Sequence, residues 1–299
     1  MVPVNKTQTA GAAAADTRHR TFAGLTAVTV AAMSPFLFRL ATLGYNDDRY
    51  THALFVPLIS AVFLWAHRQT VLREPVYNRQ AGGAVVAIGI GLWAVAALHW
   101  IGHPTGVEDY RLALGILALI VTLAGAFILC YGIGCLRRAS FPALFLLLMI
   151  PLPPSLMDAA VVALQKGSAA VTASLFSVMK VPFLRDGFRF GLPGVKIEVA
   201  EECSGIRSTL SFLLGGLLAA ELFLQTGWSR LRFILLIVPV VIFKNAIRIA
   251  TIAWLGVYVD RGFFFGNLHH YGGFPFSMIA LAILSLALLL LRHRDTAPA

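Results

Sequence analysis

The sequence predicts an all-α polytopic membrane protein, and three observations support that fold class. Of the 299 residues, 58% are hydrophobic and only 13% are charged, whereas a soluble domain carries about 25% charged residues. Apolar runs of roughly 20 residues, the length that crosses a bilayer, recur along the chain. The Lys and Arg residues fall in short clusters between these runs, where they face lipid headgroups. The net charge of +10 therefore indicates membrane lipids rather than nucleic acid as a partner.

The apolar runs predict about eight spanning helices. Their expected positions are residues 22–43, 51–66, 82–101, 112–131, 139–152, 205–224, 232–258 and 273–291. Residues 1–20 are Ala/Thr-rich and polar, so they are expected to form a disordered cytoplasmic tail. Residues 21–299 are expected to form one integral membrane domain.

The charges between the spans predict the orientation of the chain, because basic residues are retained in the cytoplasm. Alternate loops differ in sign, which places both termini in the cytoplasm. The basic loops carry Lys6, Arg18 and Arg20; Arg68, Arg73 and Arg79; Arg137 and Arg138; Arg230 and Arg232; and Arg292 and Arg294. The loops between them carry Asp47 and Asp48; Glu108 and Asp109; and Asp158.

Residues 154–202 are expected to lie at the outer surface rather than to cross the membrane. If 155–180 crossed, every later loop would change sides and its basic residues would face outward. Asp158, Gln165 and Thr172 recur every seven residues, which is typical of a helix lying in the outer leaflet with a polar face. Residues 182–202 alternate short polar and apolar runs between glycines and Pro193, which predicts a small β-hairpin.

Cys203 follows the predicted hairpin and stands at the outer end of the sixth span. A thiol at a helix N-terminus is favoured as thiolate by the helix dipole and the unpaired amide hydrogens. Ser204 is small and would allow a substrate backbone to approach. Arg207, one turn further along, is expected on the same face. The alternative is that Cys203 packs as a small buried hydrophobe.

Arg248 lies inside the seventh span, about ten residues from its outer end. An intramembrane charge costs several kcal/mol and usually lines a polar site. Asn245, three residues earlier, and Lys244 extend a polar face. The alternative is an arginine that snorkels outward or pairs with Glu201 or Glu202.

His269 and His270 precede the eighth span, and the topology places them on the same side as Cys203. A thiol, an imidazole and a guanidinium on one surface suit acyl transfer. By contrast, Cys130 and Cys135 near the inner end of the fourth span are expected to be structural, since a C-x4-C pair alone is a poor metal signature. No metal or organic cofactor is expected.

At these residues the chain resembles the exosortase/archaeosortase family from Tyr50 onward. The stretches that fit are Tyr50-Thr51-His52, FLLLMIPLPP at 145–154, GLPGVKIEVAEECSGIRS at 191–208, KNAIRI at 244–249 and the HHYGGF block at 269–274. Two positions depart from the family pattern. Ala53 stands where a Gly is usual, and of the two histidines His269 has the family's spacing to Gly273-Phe274.

The resemblance implies a membrane cysteine protease or transpeptidase at the cytoplasmic membrane. Its reacting set would be Cys203, Arg248 and His269, with His270, Arg207, Ser204, Asn245 and His52 as site-lining candidates. Its substrates would be exported proteins with a C-terminal, PEP-CTERM-like sorting signal and membrane anchor, cleaved on the outer side. Components of the exopolysaccharide machinery are a further expected partner.

Two other functions remain open on the sequence alone. Intramembrane Arg248 and Lys244 would suit a transporter, although the halves show no inverted repeat. The chain would also suit a scaffold subunit of an envelope polysaccharide export system, with Cys203 inert. Hydrolysis and transpeptidation are not distinguished, and neither the substrate tripeptide nor the oligomeric state follows from the residues.

Overall fold

The computed structural model describes residues 6–98, 108–199, 205–264 and 273–296. Its contacts group the chain into two compact units, residues 1–154 (unit 1) and residues 155–299 (unit 2). Both units are built mainly of helices, as the sequence predicts. The expected organisation as a single domain stays a prediction.

Helices are the only regular secondary structure among the described residues of unit 1. Its helices are α1 (Lys6–Ala32), α2 (Ser34–Asn46), α3 (His52–Ala66), α4 (Arg68–Val71), α5 (Arg79–Leu98), α6 (Glu108–Tyr131), α7 (Ile133–Arg138) and α8 (Ser140–Phe145), the last extended by a 3₁₀ turn (Leu146–Met149).

The start of unit 1 differs from the expectation in two ways. A helix, not a disordered tail, begins at Lys6, because residues 10–15 are mostly alanine, the strongest helix former. The predicted first span is two helices, α1 and α2, which meet at an angle of 67°. The bend falls at Met33 and Ser34-Pro35, and proline has no amide hydrogen with which to continue the helical hydrogen-bond ladder.

Helices α5 and α6 pack closely because glycines line their contact. A Cβ at Gly82 would lie 2.5 Å from the backbone nitrogen of Leu129, and one at Gly89 would lie 2.2 Å from Oγ1 of Thr122. Helices in membranes associate through such small-residue contacts, because lipid gives them no hydrophobic driving force to associate. The pair matches the third and fourth predicted spans.

The second and fifth predicted spans form two short segments that run antiparallel to each other. The rings of Phe63 and Phe141 are 4.8 Å apart at one end, and the Tyr50 hydroxyl donates to the Leu152 carbonyl at 3.3 Å at the other. Helix α3 has 15 residues, about 22 Å by helical rise, which is less than the 30 Å of bilayer hydrocarbon. The tilt or kink expected here agrees with Pro57 inside α3.

One end of unit 1 gathers three of the basic segments. Arg18 Nη1 donates to the Pro75 carbonyl at 2.6 Å, and Nδ1 of His19 is 2.7 Å from the Tyr131 hydroxyl. Arg138 Nε donates to the Val71 carbonyl at 3.2 Å. The charge pattern places these segments on one side of the membrane, and their contacts agree. That this side is the cytoplasm stays a prediction.

Unit 2 begins with α9 (Pro154–Val178) and continues into a small sheet. The strands are β1 (Leu184–Asp186), β2 (Arg189–Leu192) and β3 (Val195–Glu198), and the helices that follow are α10 (Ile206–Phe223), α11 (Gly227–Tyr258) and α12 (Gly273–Thr296), with a 3₁₀ turn (Arg261–Phe264) after α11. The strands form an antiparallel meander in the order β1-β2-β3, in which Phe190 pairs with both Arg185 and Ile197. The predicted hairpin is therefore correct for β2 and β3, and β1 is an additional strand.

The two ends of α11 differ in their surroundings. Near its start, Asp295 at the end of α12 accepts from the Ser229 hydroxyl at 2.7 Å and from Thr226. Toward its other end, Ala250 and Ala253 share a buried apolar cluster with Phe176 of α9 and Phe190 of the sheet. The sheet therefore packs near the C-terminal end of α11, whereas the end of α12 packs near the N-terminal end of α11.

Six described helices are long and apolar enough to cross a membrane: α5, α6, α9, α10, α11 and α12. The bent pair α1 and α2 makes seven if it is counted as one span. The predicted count of eight is not confirmed, because α3 and α8 are too short for this test and α9 passes it.

Two polar residues of α9 that were expected on a water-facing side are buried instead. Gln165, Ser168 and Thr172 are all buried, whereas Asp158 is exposed. The seven-residue polar pattern was therefore misinterpreted, since two of its three members point into unit 2. The outer placement of α9 now depends on the charge pattern alone and stays a prediction.

Labelling from outside the cell tests that placement. The variants Asp158→Cys and Ser177→Cys are made in a background whose three native cysteines are replaced by alanine. The two positions lie 19 residues apart, about 28 Å along a helix. If the basic residues after α10 are cytoplasmic, α9 does not cross, and both positions react with a membrane-impermeant maleimide. The control Arg232→Cys reacts only after permeabilisation. Reaction at only one end of α9 would show that α9 crosses.

Candidate functional site

The predicted site residues fall into two groups. Cys203, Ser204, His269 and His270 lie outside the described residues. Arg248, Asn245 and Arg207 lie in unit 2, and His52 lies in unit 1 at the start of α3. The His52 side chain is half-buried against backbone groups of Arg49 and Leu148.

The described residues on either side of the segment that contains Cys203 make defined hydrogen bonds. Before them, the Val199 carbonyl accepts from Gln165 Nε2 of α9 at 2.9 Å, and the Val199 amide donates to the Phe188 carbonyl at 3.0 Å. After them, the Gly205 carbonyl accepts from the hydroxyls of Ser208 and Thr209, each at 2.9 Å. Val199 and Gly205 are thus each fixed by hydrogen bonds to neighbouring elements.

Gly205 permits the turn into α10. Its φ is +83°, a left-handed conformation that costs a residue with a Cβ about 1–2 kcal/mol. Space is not the constraint, because a Cβ there would lie 3.6 Å or more from Ser208, Val241 and Asn245. The positive φ of Gly205 thus starts α10, and the first turn of a helix leaves amide hydrogens without acceptors inside the helix.

Helix α11 presents a polar face toward α9 and α10. Lys244 is 4% exposed and Asn245 is 1% exposed. Lys244 Nζ donates to the Ser208 hydroxyl of α10 at 3.0 Å, and Asn245 Nδ2 donates to the Ser168 hydroxyl of α9 at 3.1 Å. The predicted polar face of the seventh span is therefore an internal contact surface that joins three helices.

Arg248 continues this face one turn beyond Lys244. Its side chain is half-buried, in the half of α11 that leads toward the sheet. A guanidinium there is a fixed positive charge with several donors in a plane, which suits an oxygen that becomes negative during a reaction. Arg207, by contrast, is exposed on α10.

A groove of about 530 Å³ lies over the sheet and is lined by charges of both signs. Arg189 of β2 and Glu198 of β3, which are paired in the sheet, form an ion pair with Nε 3.0 Å from the carboxylate, and Arg185 and Lys196 add further positive groups. Strand β3, which lines this groove, ends at Glu198, five residues before Cys203 in the sequence.

Sequence reasoning missed the partners of the buried polar groups. Ser168 and Ser208 were not singled out, although a lone hydroxyl or amide in an apolar helix signals an internal partner, because lipid supplies none. Cys130 and Cys135 are buried free thiols in the apolar core of unit 1. Their surroundings agree with the structural role that was predicted for them.

Comparison with known proteins gives one match. A family model described as transmembrane exosortase matches residues 44–286, a range that contains every candidate site residue. No curated protein and no solved structure matches the chain.

Gly205 and Gly215 provide a matched pair of substitutions in and near α10. Gly205→Ala should lower the stability of the solubilised protein by about 1–2 kcal/mol, because its φ is positive. Gly215→Ala, with open space around the position, should leave stability unchanged or raise it by up to about 1 kcal/mol. Thermal unfolding in detergent measures both. Equal effects of the two alanines would contradict the argued role of the turn.

Proposed function

Since the chain belongs to the transmembrane exosortase family, we propose that it is a membrane-embedded cysteine protease or transpeptidase. Its substrates are exported proteins whose C-terminal, PEP-CTERM-like sorting signal includes a membrane anchor. The protein lies in the cytoplasmic (inner) membrane with both termini in the cytoplasm and its site on the outer face. Components of the exopolysaccharide machinery are proposed as further partners.

The observation that carries this proposal is the set of hydrogen bonds that hold Val199 and Gly205, the described residues on either side of the segment that contains Cys203. A nucleophile must be held within a fraction of an ångström of its working position, and rigid elements do this better than free loops. Gln165 holds the chain before Cys203, and the N-terminal turn of α10 holds it after.

The proposed reaction uses Cys203, His269 and Arg248 in separate roles. The imidazole of His269 takes the thiol proton, and the sulfur attacks the carbonyl carbon of the scissile peptide bond. Arg248 stabilises the negative oxygen of the tetrahedral intermediate. When the carbon–nitrogen bond breaks, His269 returns the proton to the leaving amine and a thioester to Cys203 remains. Water or an amine then attacks that thioester, which gives hydrolysis or transpeptidation.

Two observations favour this function over a transporter. Among the described residues, strands occur only in unit 2, so the halves lack the matching architecture of an inverted repeat. A cavity of about 310 Å³ in unit 1 is lined by apolar groups such as Phe22, Pro57 and Leu146, with Thr26 and Ser60 as its only hydroxyls among the described residues. It offers no charged group to a polar solute.

Processing of a co-expressed candidate substrate with a C-terminal membrane anchor tests the proposal. Cys203→Ala, Arg248→Ala and His269→Ala should each reduce cleavage by about 10²-fold or more, because each removes a distinct part of the reaction. His270→Ala should retain cleavage. Cys135→Ala serves as the matched thiol control, and the membrane level of each variant is measured alongside.

The pattern of losses separates the possible outcomes. Full cleavage by Cys203→Ala would rule out the thiol mechanism and leave the transporter or scaffold function. If His270→Ala loses cleavage and His269→Ala retains it, His270 is the base instead of His269. The roles proposed for Cys203 and Arg248 would be unchanged.

A further inference from the structure

The apolar cavity in unit 1 contains two buried hydroxyls that the proposed reaction does not use. Its volume is about 310 Å³, and residues of α1, α3, α6, α7 and α8 line it. Ser60 of α3 is one of them and is 6% exposed. The hydroxyl oxygens of Ser60 and of Thr26 on α1 are buried without a hydrogen-bond partner among the described residues. Because an unpaired hydroxyl in an apolar interior is costly, a polar group inside the cavity would stabilise both.

These two hydroxyls differ from others on the helices of unit 1. A Ser or Thr inside a helix commonly donates to the carbonyl four residues earlier. Thr29, on the turn after Thr26, does so and donates to the Leu25 carbonyl at 2.7 Å. Ser60 and Thr26 do not make this bond, so both hydroxyls are available to a group that enters the cavity.

The dimensions of the cavity fit a single hydrocarbon chain. Pro57 and Leu64 of α3 both line it, as do Ile120 and Phe127 of α6. Each pair is seven residues apart, so the cavity extends about 10 Å along the helices. Over that length its volume corresponds to a channel about 6 Å across. An α-helix with its side chains is about 10–12 Å wide, whereas packed carbon atoms lie about 4 Å apart.

The lining of the cavity excludes an ionic ligand and a cluster of waters. Among the described residues that line it, none is charged, and Ser60 and Thr26 carry the only side-chain hydroxyls. The volume would hold about ten waters, each of which needs two to four polar partners. Pro57 and Ala61 line the cavity and are exposed. The cavity therefore opens on the surface of unit 1, from which a lipid chain can enter.

We propose that this cavity binds one hydrocarbon chain of a membrane lipid. An uncharged oxygen on the chain, either an ester carbonyl or a hydroxyl, accepts hydrogen bonds from Ser60 and Thr26. Acyl esters and isoprenoid alcohols both have this chemistry. The site lies wholly within unit 1, and its occupation does not depend on the chemistry proposed for Cys203.

Photolabelling of the purified protein in detergent tests the proposal. The protein is titrated with two probes, a phosphatidylethanolamine with a diazirine in one acyl chain and an isoprenoid alcohol with a diazirine in its chain. Adducts are mapped by mass spectrometry of peptides. Ile120 and Phe127 are 7% and 6% exposed, so lipid on the outer surface does not reach them. Saturable adducts on these two residues are expected, and the probe that forms them at the lower concentration identifies the source of the oxygen.

Two kinds of variant separate the cavity from the surface of the protein. Ala124→Phe fills the cavity and should abolish the adducts on Ile120 and Phe127, whereas Ala87→Phe on the exposed face of α5 should leave them unchanged. If Ala124→Phe does not accumulate, Ala61→Phe replaces it.

The second kind of variant removes the two hydroxyls. The double variant Ser60→Ala and Thr26→Val keeps the shape of the cavity. It should raise the half-saturating probe concentration about fivefold, the effect of one neutral hydrogen bond.

Three results would each overturn the proposal. The first is labelling of exposed positions such as Ile88 and Ile90 of α5 without adducts on Ile120 or Phe127. The second is labelling of the two buried residues that persists when the cavity is filled. The third is an unchanged half-saturating concentration in the double variant, which would show that the hydroxyls do not bind the chain.

Discussion

A polar group inside a bilayer must find its hydrogen-bond partner within the protein, and unit 2 is organised by that constraint. An unpaired amide or ammonium in hydrocarbon costs several kcal/mol, because no water replaces the missing partner. Asn245 and Lys244 meet this requirement with Ser168 and Ser208. These bonds fix the register of α9 and α10 against α11, which apolar packing, being non-directional, specifies less sharply.

Two further hydrogen bonds hold the described residues on either side of Cys203. Gln165 on the buried face of α9 reaches the exit of β3, and Ser208 on α10 reaches Gly205. Buried polar side chains of α9 and α10 thus also hold Val199 and Gly205, which flank the segment that contains the thiol in the sequence. In the proposed function, stability and catalytic geometry depend on one set of hydrogen bonds.

Patterns that are local in the sequence predicted the structure well. The lengths of the apolar runs gave the spans that became α5, α6, α10, α11 and α12, because bilayer thickness fixes how many apolar residues a span needs. The glycine-punctuated alternation before Cys203 predicted strands correctly. Pro35 could have predicted the bend at Ser34-Pro35, since proline interrupts helices. The continuous apolar character of residues 22–43 instead favoured a single unbroken span.

Features that depend on distant residues were not predicted. The seven-residue spacing of Asp158, Gln165 and Thr172 is compatible with a face toward water or toward protein, and only the packing of α9 distinguishes the two. The pairing of Lys244 with Ser208 joins residues 36 positions apart, which no local periodicity encodes. The family resemblance from Tyr50 onward is confirmed by the match over residues 44–286, whereas the roles assigned to Cys203, Arg248 and His269 stay predictions.

The central claim is that the sulfur of Cys203 forms a covalent bond to the substrate. It is tested most directly by acid-quenching the purified protein during turnover of an anchored substrate and mapping the adduct by mass spectrometry. The account predicts a thioester on Cys203, sensitive to hydroxylamine and absent from Cys203→Ala. Cleaved substrate without an adduct at Cys203, or an adduct on a neighbouring residue such as Ser204, would contradict it.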